Sequence, residues 1–179
     1  MSIVTKTGDG GMTGLMYNRR VPKHNPRVAA YGSVDELNAA LGLARATNKL
    51  AFVSDNLMVI QKDLVVLMGE LCVQPEDLPR YVQDGFSQVA PVMTAKLEAL
   101  VRDVESQSIR FNGWATPGDN LGSAALDVAR TVCRRAERCV CALNDGGGKV
   151  NPEITVFLNR LSDLLWLLAR WVESKGGGT

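Results

Sequence analysis

The sequence predicts an all-α domain: a five-helix bundle preceded by an irregular, glycine-rich N-terminal loop. Three observations carry the fold. Apolar residues recur at three- and four-residue spacing through five separate windows, as in helices that bury one face. No window sustains two-residue alternation with β-branched enrichment, which half-buried strands would show. Glycine, asparagine and proline gather between the windows, where the chain must reverse. With 179 residues and 46% hydrophobic content, residues 1–179 read as a single domain with material for one core.

Residues 1–31 read as an irregular, glycine-rich segment, and the bundle as residues 33–175. The first helix opens at Ser33, with Glu36 three residues later completing a capping box. It runs through Leu37, Leu41 and Ala44 to about Asn48. The second carries Leu57, Ile60, Leu64, Met68 or Leu67, and Leu71, and stops before Pro75. Pro75 to Gly85 is a polar connection. The third spans roughly Gln88 to Gln107, with Val92, Leu97, Leu100 and Val104 as its apolar positions, and a loop holding Phe111, Trp114 and Pro117 follows. The fourth helix is long, Leu121 to Leu143, and stops at Asn144-Asp145-Gly146-Gly147-Gly148. The fifth starts at Asn151-Pro152-Glu153, a cap followed by proline at the first helical position, and runs to Lys175. Short connections imply antiparallel neighbours.

Composition excludes several classes. Lys+Arg of 20 against Asp+Glu of 19 gives a net charge of +1, which argues against a polybasic nucleic-acid binder. The four cysteines form no C-x-x-C pair, and the single histidine, His24, reads as an exposed loop residue, so a zinc site is not expected. No apolar run is long enough to span a membrane. The glycine-rich loop begins within five residues of Met1 and leaves no room for a leader, so a cytoplasmic protein is expected.

The loop Thr5-Lys6-Thr7-Gly8-Asp9-Gly10-Gly11-Met12-Thr13, continuing into Gly14, is the densest polar feature. Glycines allow left-handed turns and close approach to a ligand, and successive N–H groups form an anion-holding nest. Lys6, Lys23, Arg19 and Arg20 add positive charge. A disordered arm is the competing reading. On the fourth helix Arg130, Arg134 and Glu137 line one face, flanked by Arg135 and Arg138, while Ala125, Ala129, Val132, Cys133, Ala136 and Val140 form the core face. Such a stripe is either a solvated charged face or a site for phosphate, which arginine grips bidentately. The fifth helix carries Asn159, Asp163, Trp166 and Arg170 through many leucines. The first places Asp35, Asn38 and Arg45 along one side. A buried Asp35 would need a cation, which the arginine stripe could supply across a helix or subunit interface. No Ser-His-Asp or Cys-His arrangement is available, nor the Glu-x-x-His pairs of di-iron bundles. Any chemistry therefore belongs to bound reactants positioned by arginines and backbone amides.

Four blocks, Thr5 to Thr13 with Lys23, Ala30 to Asn38, Ala129 to Arg138 and Asn159 to Asp163, resemble the PduO-type ATP:cob(I)alamin adenosyltransferases along nearly the whole chain. The resemblance implies a trimer with ATP at subunit interfaces. It also implies transfer of the 5′-deoxyadenosyl group of ATP to cobalt, with release of triphosphate. It assigns Thr5, Lys6, Thr7, Gly8, Asp9, Gly11, Thr13, Gly14, Lys23, Arg134, Arg135, Glu137, Arg138 and Asn159 to ATP, with Glu137 toward Mg²⁺. Asp35 and Arg130 match an intersubunit pair that shapes the catalytic site with Arg134. A reductase and a B12-dependent acceptor enzyme are the implied partners.

One departure concerns cobalamin. The family has a phenylalanine three residues before a Pro-Gly-Gly turn, closing the lower corrin face; here that position is Trp114 and the turn reads Pro117-Gly118-Asp119. Either Trp114 or Phe111 takes the role. The competing functional classes are an ATP-binding trimer that delivers or senses cobalamin without turnover, and a plain structural bundle.

Overall fold

The computed structural model describes residues 4–107, 109 and 114–176. A two-stranded antiparallel ribbon, β1 (Met12–Gly14) and β2 (Arg20–Pro22), precedes six helices: α1 (Pro26–Thr47), α2 (Ala51–Leu71), α3 (Leu78–Gln83), α4 (Pro91–Glu105), α5 (Leu121–Leu143) and α6 (Pro152–Gly176). The five long helices are the five expected from periodicity. α5 packs between α1 and α6, with α2 on the far side of α1 and α4 on the far side of α6. Leu37, Leu41, Leu57, Leu64, Leu126, Phe157 and Leu161 are fully enclosed where these helices meet. Among the described residues no helix is long and apolar enough to cross a membrane.

The start of α1 corrects the sequence reading. Asn25 is the cap, its Oδ1 accepting from Arg27 N at 2.9 Å, and Pro26 takes the first helical position. This is the signal that also opens α6, where Asn151 Oδ1 accepts from Glu153 N at 3.0 Å. Ser33 therefore lies inside the helix, buried, with its hydroxyl donating to Ala30 O at 2.7 Å. Glu36 reaches across to Arg135 of α5 rather than back to a cap.

Two further elements depart from expectation. The N-terminal segment, read as irregular, contains the ribbon, in register Met12↔Pro22, Thr13↔Val21 and Gly14↔Arg20. Strands of three residues are too short to show a period. The connection Pro75 to Gly85 contains α3, fastened by a nearly buried Tyr81. A Cβ on Gly69 would lie 2.8 Å from the Tyr81 hydroxyl, so glycine in α2 makes room for that anchor. α4 begins at Pro91, later than expected. The buried Glu70 carboxylate holds the lead-in extended, accepting from Gln88 Nε2, Val89 N and Asn151 Nδ2 at 3.1, 2.7 and 3.0 Å.

At the other end of α5 the glycine run closes the helix with a wider turn over Asn144–Gly148. Gly148 packs against Leu143 so closely that a Cβ would fall 2.5 Å from its Cδ1. Arg27, almost fully buried, donates to Leu71 O at 3.1 Å and to Gly148 O at 2.5 Å. One guanidinium thus joins α1, the end of α2 and the turn before α6. All four cysteines are free thiols, and the buried Cys133 thiol donates to Leu158 O at 3.2 Å.

Candidate functional site

Loop 5–14 folds as successive turns. Asp9 N donates to Lys6 O, Gly11 N to Gly8 O, and Lys23 N to Gly11 O, at 3.3, 3.2 and 2.9 Å. Lys6 and Gly11 adopt positive φ, 57° and 76°. Thr5, Lys6, Thr7 and Asp9 are exposed, as are the glycines Gly10, Gly11 and Gly14. Gly8 is placed so that a Cβ would come 3.2 Å from Lys23 Nζ, and the missing side chain gives the ammonium its position against the loop. Thr13 lies on β1, and burial raises the pKa of the Tyr31 hydroxyl on α1. Among the described residues Arg20 braces this loop from behind, donating to Thr7 O at 2.7 Å, and Arg19 turns away to Asp77. The ammonium of Lys23 and the free N–H groups are what the loop offers an anion.

The α5 stripe is divided in its use. Arg135 pairs with Glu36. Arg130 Nε lies 3.2 Å from Asp127 Oδ1, and the other Asp127 oxygen accepts from Arg170 NH2 at 2.5 Å, with Asp127 and Arg170 both buried. Arg134 and Arg138 are exposed and have no ion-pair partner among the described residues. Glu137, half-buried, accepts from Asn159 Nδ2 at 3.1 Å, so α5 and α6 deliver a carboxylate and an amide side by side. Asp35 is exposed on α1, and within one chain Arg130 pairs with Asp127 rather than with Asp35. Sequence reasoning missed Asp127; the signal available was its spacing three residues before Arg130, at the head of the same charged stripe.

No hydrogen bond or ion pair among the described residues joins loop 5–14 to Arg134, Glu137 or Arg138. The loop and the α5 stripe are thus two polar groups that no such bond ties together. Trp114 stands 94% exposed, and Phe111 lies outside the described residues. Just beyond Trp114, residues 119–122 line a cleft of 740 Å³ with the end of α1 and the last turns of α6, including Asn48, Leu50, Val172 and Glu173. Among the described residues no three His, Cys, Asp or Glu side chains converge as metal ligands.

The family model described as cobalamin adenosyltransferase matches residues 3–172. The chain belongs to the cobalamin adenosyltransferase family. It is 38% identical over 175 residues to a corrinoid adenosyltransferase of Citrobacter freundii, covering 96% of this chain and 95% of that one. It is 36% identical over 178 residues to a cobalamin adenosyltransferase of Cupriavidus metallidurans, covering 99% and 91%. Among solved structures it is similar to a phenylalanine-to-alanine variant of the PduO-type ATP:corrinoid adenosyltransferase of Lactobacillus reuteri complexed with cobalamin and ATP. That match has a TM-score of 0.85 and 33% identity over 97% of this chain and 94% of that one. An arginine-to-lysine variant of that enzyme complexed with ATP gives a TM-score of 0.86 at 30% identity, covering 96% and 94%. The adenosyltransferase is thus of the PduO type, and its bundle is the fold of that family.

Proposed function

We propose that this adenosyltransferase moves the 5′-deoxyadenosyl group of ATP to the cobalt of reduced cobalamin, releasing triphosphate. The observation that carries the reading is a pair of polar groups: a glycine-rich loop with Lys23, and an α5 face on which Arg134 and Arg138 have no ion-pair partner among the described residues. Both suit a polyphosphate. The lone pair of Co(I) attacks C5′, the C5′–O bond breaks, and its electrons leave on triphosphate. The attacking group is the substrate's own, which accounts for a site built without a protein nucleophile. The protein's task is to hold C5′ in line and to stabilise the leaving charge with amides and cations.

Because no bond among the described residues joins the two groups, and Arg130 pairs with Asp127 while Asp35 stays exposed, a homotrimer that seats ATP between subunits, with Asp35 of one opposite Arg130 of the next, is the assembly we favour. Thr5, Lys6, Thr7, Gly8, Asp9, Gly11, Thr13, Gly14 and Lys23 then face the phosphates from one side. Arg134, Arg135, Glu137, Arg138 and Asn159 face them from the other. The donor set fits a Mg²⁺ ion that takes most of its ligands from phosphate and water. Glu137, oriented by Asn159, would hold it, and the ion would offset triphosphate charge. Trp114, or Phe111, supplies an apolar wall for the corrin beside the cleft. Making Co(I) calls for a reductase, and the product serves a B12-dependent enzyme; a cytoplasmic location suits both.

The test is adenosylcobalamin formation from reduced cobalamin and MgATP, followed by absorbance. ATP binding without product would replace this reading with a trimer that delivers or senses cobalamin. Loss of ATP binding as well would leave a structural bundle.

A further inference from the structure

Arg19 and Arg20 are adjacent, and at the start of a strand adjacent side chains point to opposite sides. Arg20 reaches the loop, donating to Thr7 O at 2.7 Å. Arg19 reaches the other way, its Nε and NH2 donating to Asp77 Oδ2 and Oδ1 at 2.7 and 2.9 Å. A continuous path of bonds therefore runs from the start of α3 through β2 to the nucleotide loop. The ribbon needs such support, since two strands of three residues are not stable alone. Its tip is also strained: Tyr17 and Asn18, neither of them glycine, sit at φ of 59° and 58°. Conformations of that kind persist where the surroundings over-determine them, and they gather at ligand clamps. Here α3 does so, with Tyr17 donating to Asp84 Oδ2 at 3.0 Å beneath the Arg80 guanidinium, 4.3 Å from its ring.

We infer that Arg19 and Asp77 are positioning residues for ATP: their bidentate pair sets the loop that receives the nucleotide, with neither residue touching it. This rests on the reading of loop 5–14 as the nucleotide site. An ordinary surface ion pair is the competing account, but the Asp77 side chain is only 13% exposed and both its oxygens are engaged.

The experiment compares Asp77→Asn, Arg19→Asp, the double exchange of Arg19→Asp with Asp77→Arg, and Lys23→Ala. Each is assayed for ATP affinity, KM for ATP, kcat and melting temperature. We expect Asp77→Asn to raise Kd and KM for ATP roughly three- to tenfold, the scale of a bidentate charge-assisted contact partly open to water. We expect kcat at saturating ATP and the melting temperature to hold, and the double exchange to recover most of the affinity. Unchanged ATP affinity in Asp77→Asn beside a weakened Lys23→Ala overturns the inference and leaves the nucleotide site standing. Unchanged affinity in both removes the nucleotide site and the inference with it. A parallel fall in kcat and melting temperature, or an exchange as weak as the single variants, also overturns it.

Discussion

Among the described residues Arg134 and Arg138 have no ion-pair partner, while their neighbours Arg135 and Arg130 on α5 pair with Glu36 and Asp127. Arginines without acids along a helix repel one another at a small cost, which a bound polyphosphate would reverse. Arg134→Ala should therefore leave the fold intact and lower turnover by about 10²-fold or more, the size of losing a charge-assisted contact in a closed site. Steady-state kinetics within threefold of wild type would remove Arg134 from the site. Trp114 makes a sharper case. At 94% exposure its side chain contributes little to the isolated fold, so Trp114→Ala should change stability by no more than about 0.5 kcal/mol. If it walls the corrin, the same variant should lose activity with cob(II)alamin plus reductant far more than with pre-reduced cob(I)alamin, and Trp114→Phe should keep much of both. The opposite pattern, with Phe111→Ala causing the loss, would assign the wall to Phe111.

At the scale of elements, the two Asn-Pro caps differ in what else they hold. Asn25 caps α1 and does little more, whereas Asn151 Nδ2 also donates to Glu70 Oε1 and to Val89 O at 3.0 and 2.9 Å. Asn25→Ala should cost about 1 kcal/mol as a lost cap. Asn151→Ala should cost roughly 2–4 kcal/mol, because it also strips a buried carboxylate of one donor. Denaturant titration of both variants would measure the difference, and equal costs would show that the Glu70 bond is worth little. The helices were legible because each buries a long apolar face, α5 most plainly through Ala125, Ala129, Cys133 and Ala136. The start of α1 was not, because Ser33 and Glu36 imitate a cap while the effective one, Asn25-Pro26, stands earlier in a basic stretch with no periodicity. The ribbon and α3 escaped notice for a related reason: each is held by contacts remote in sequence, such as Arg19 with Asp77, rather than by its own pattern.

On the scale of the whole molecule, the sequence offers loop 5–14 and the α5 stripe as candidates for one nucleotide site but not how they meet. No hydrogen bond or ion pair among the described residues joins loop 5–14 to the α5 stripe, and under the proposed trimer their union belongs to assembly. Asp35 is exposed, and Leu43, two turns on along the same face of α1, is 54% exposed, as befits a surface awaiting a second subunit. Asp35→Ala should impair activity more than helical content. Sedimentation velocity should show the wild-type chain as a trimer, and a stable, fully active monomer would sink the shared-site assembly. Surface charges of this kind carry no label in a sequence, since solvent and a neighbouring subunit satisfy them equally well.

The buried guanidinium of Arg27 has a consequence for the order of events in folding. Its two acceptors lie 44 and 121 residues away along the chain, so its bonds close only after α2 and the turn before α6 have both arrived. Contacts that close last are absent from the transition state and act as a latch on the way out rather than a guide on the way in. Replacing Arg27 with methionine should leave the refolding limb of a chevron plot nearly unmoved and steepen the loss of the native state, with unfolding about tenfold faster for each 1.4 kcal/mol lost. A slowed refolding limb would instead place the junction of α1, α2 and the glycine turn in the folding nucleus.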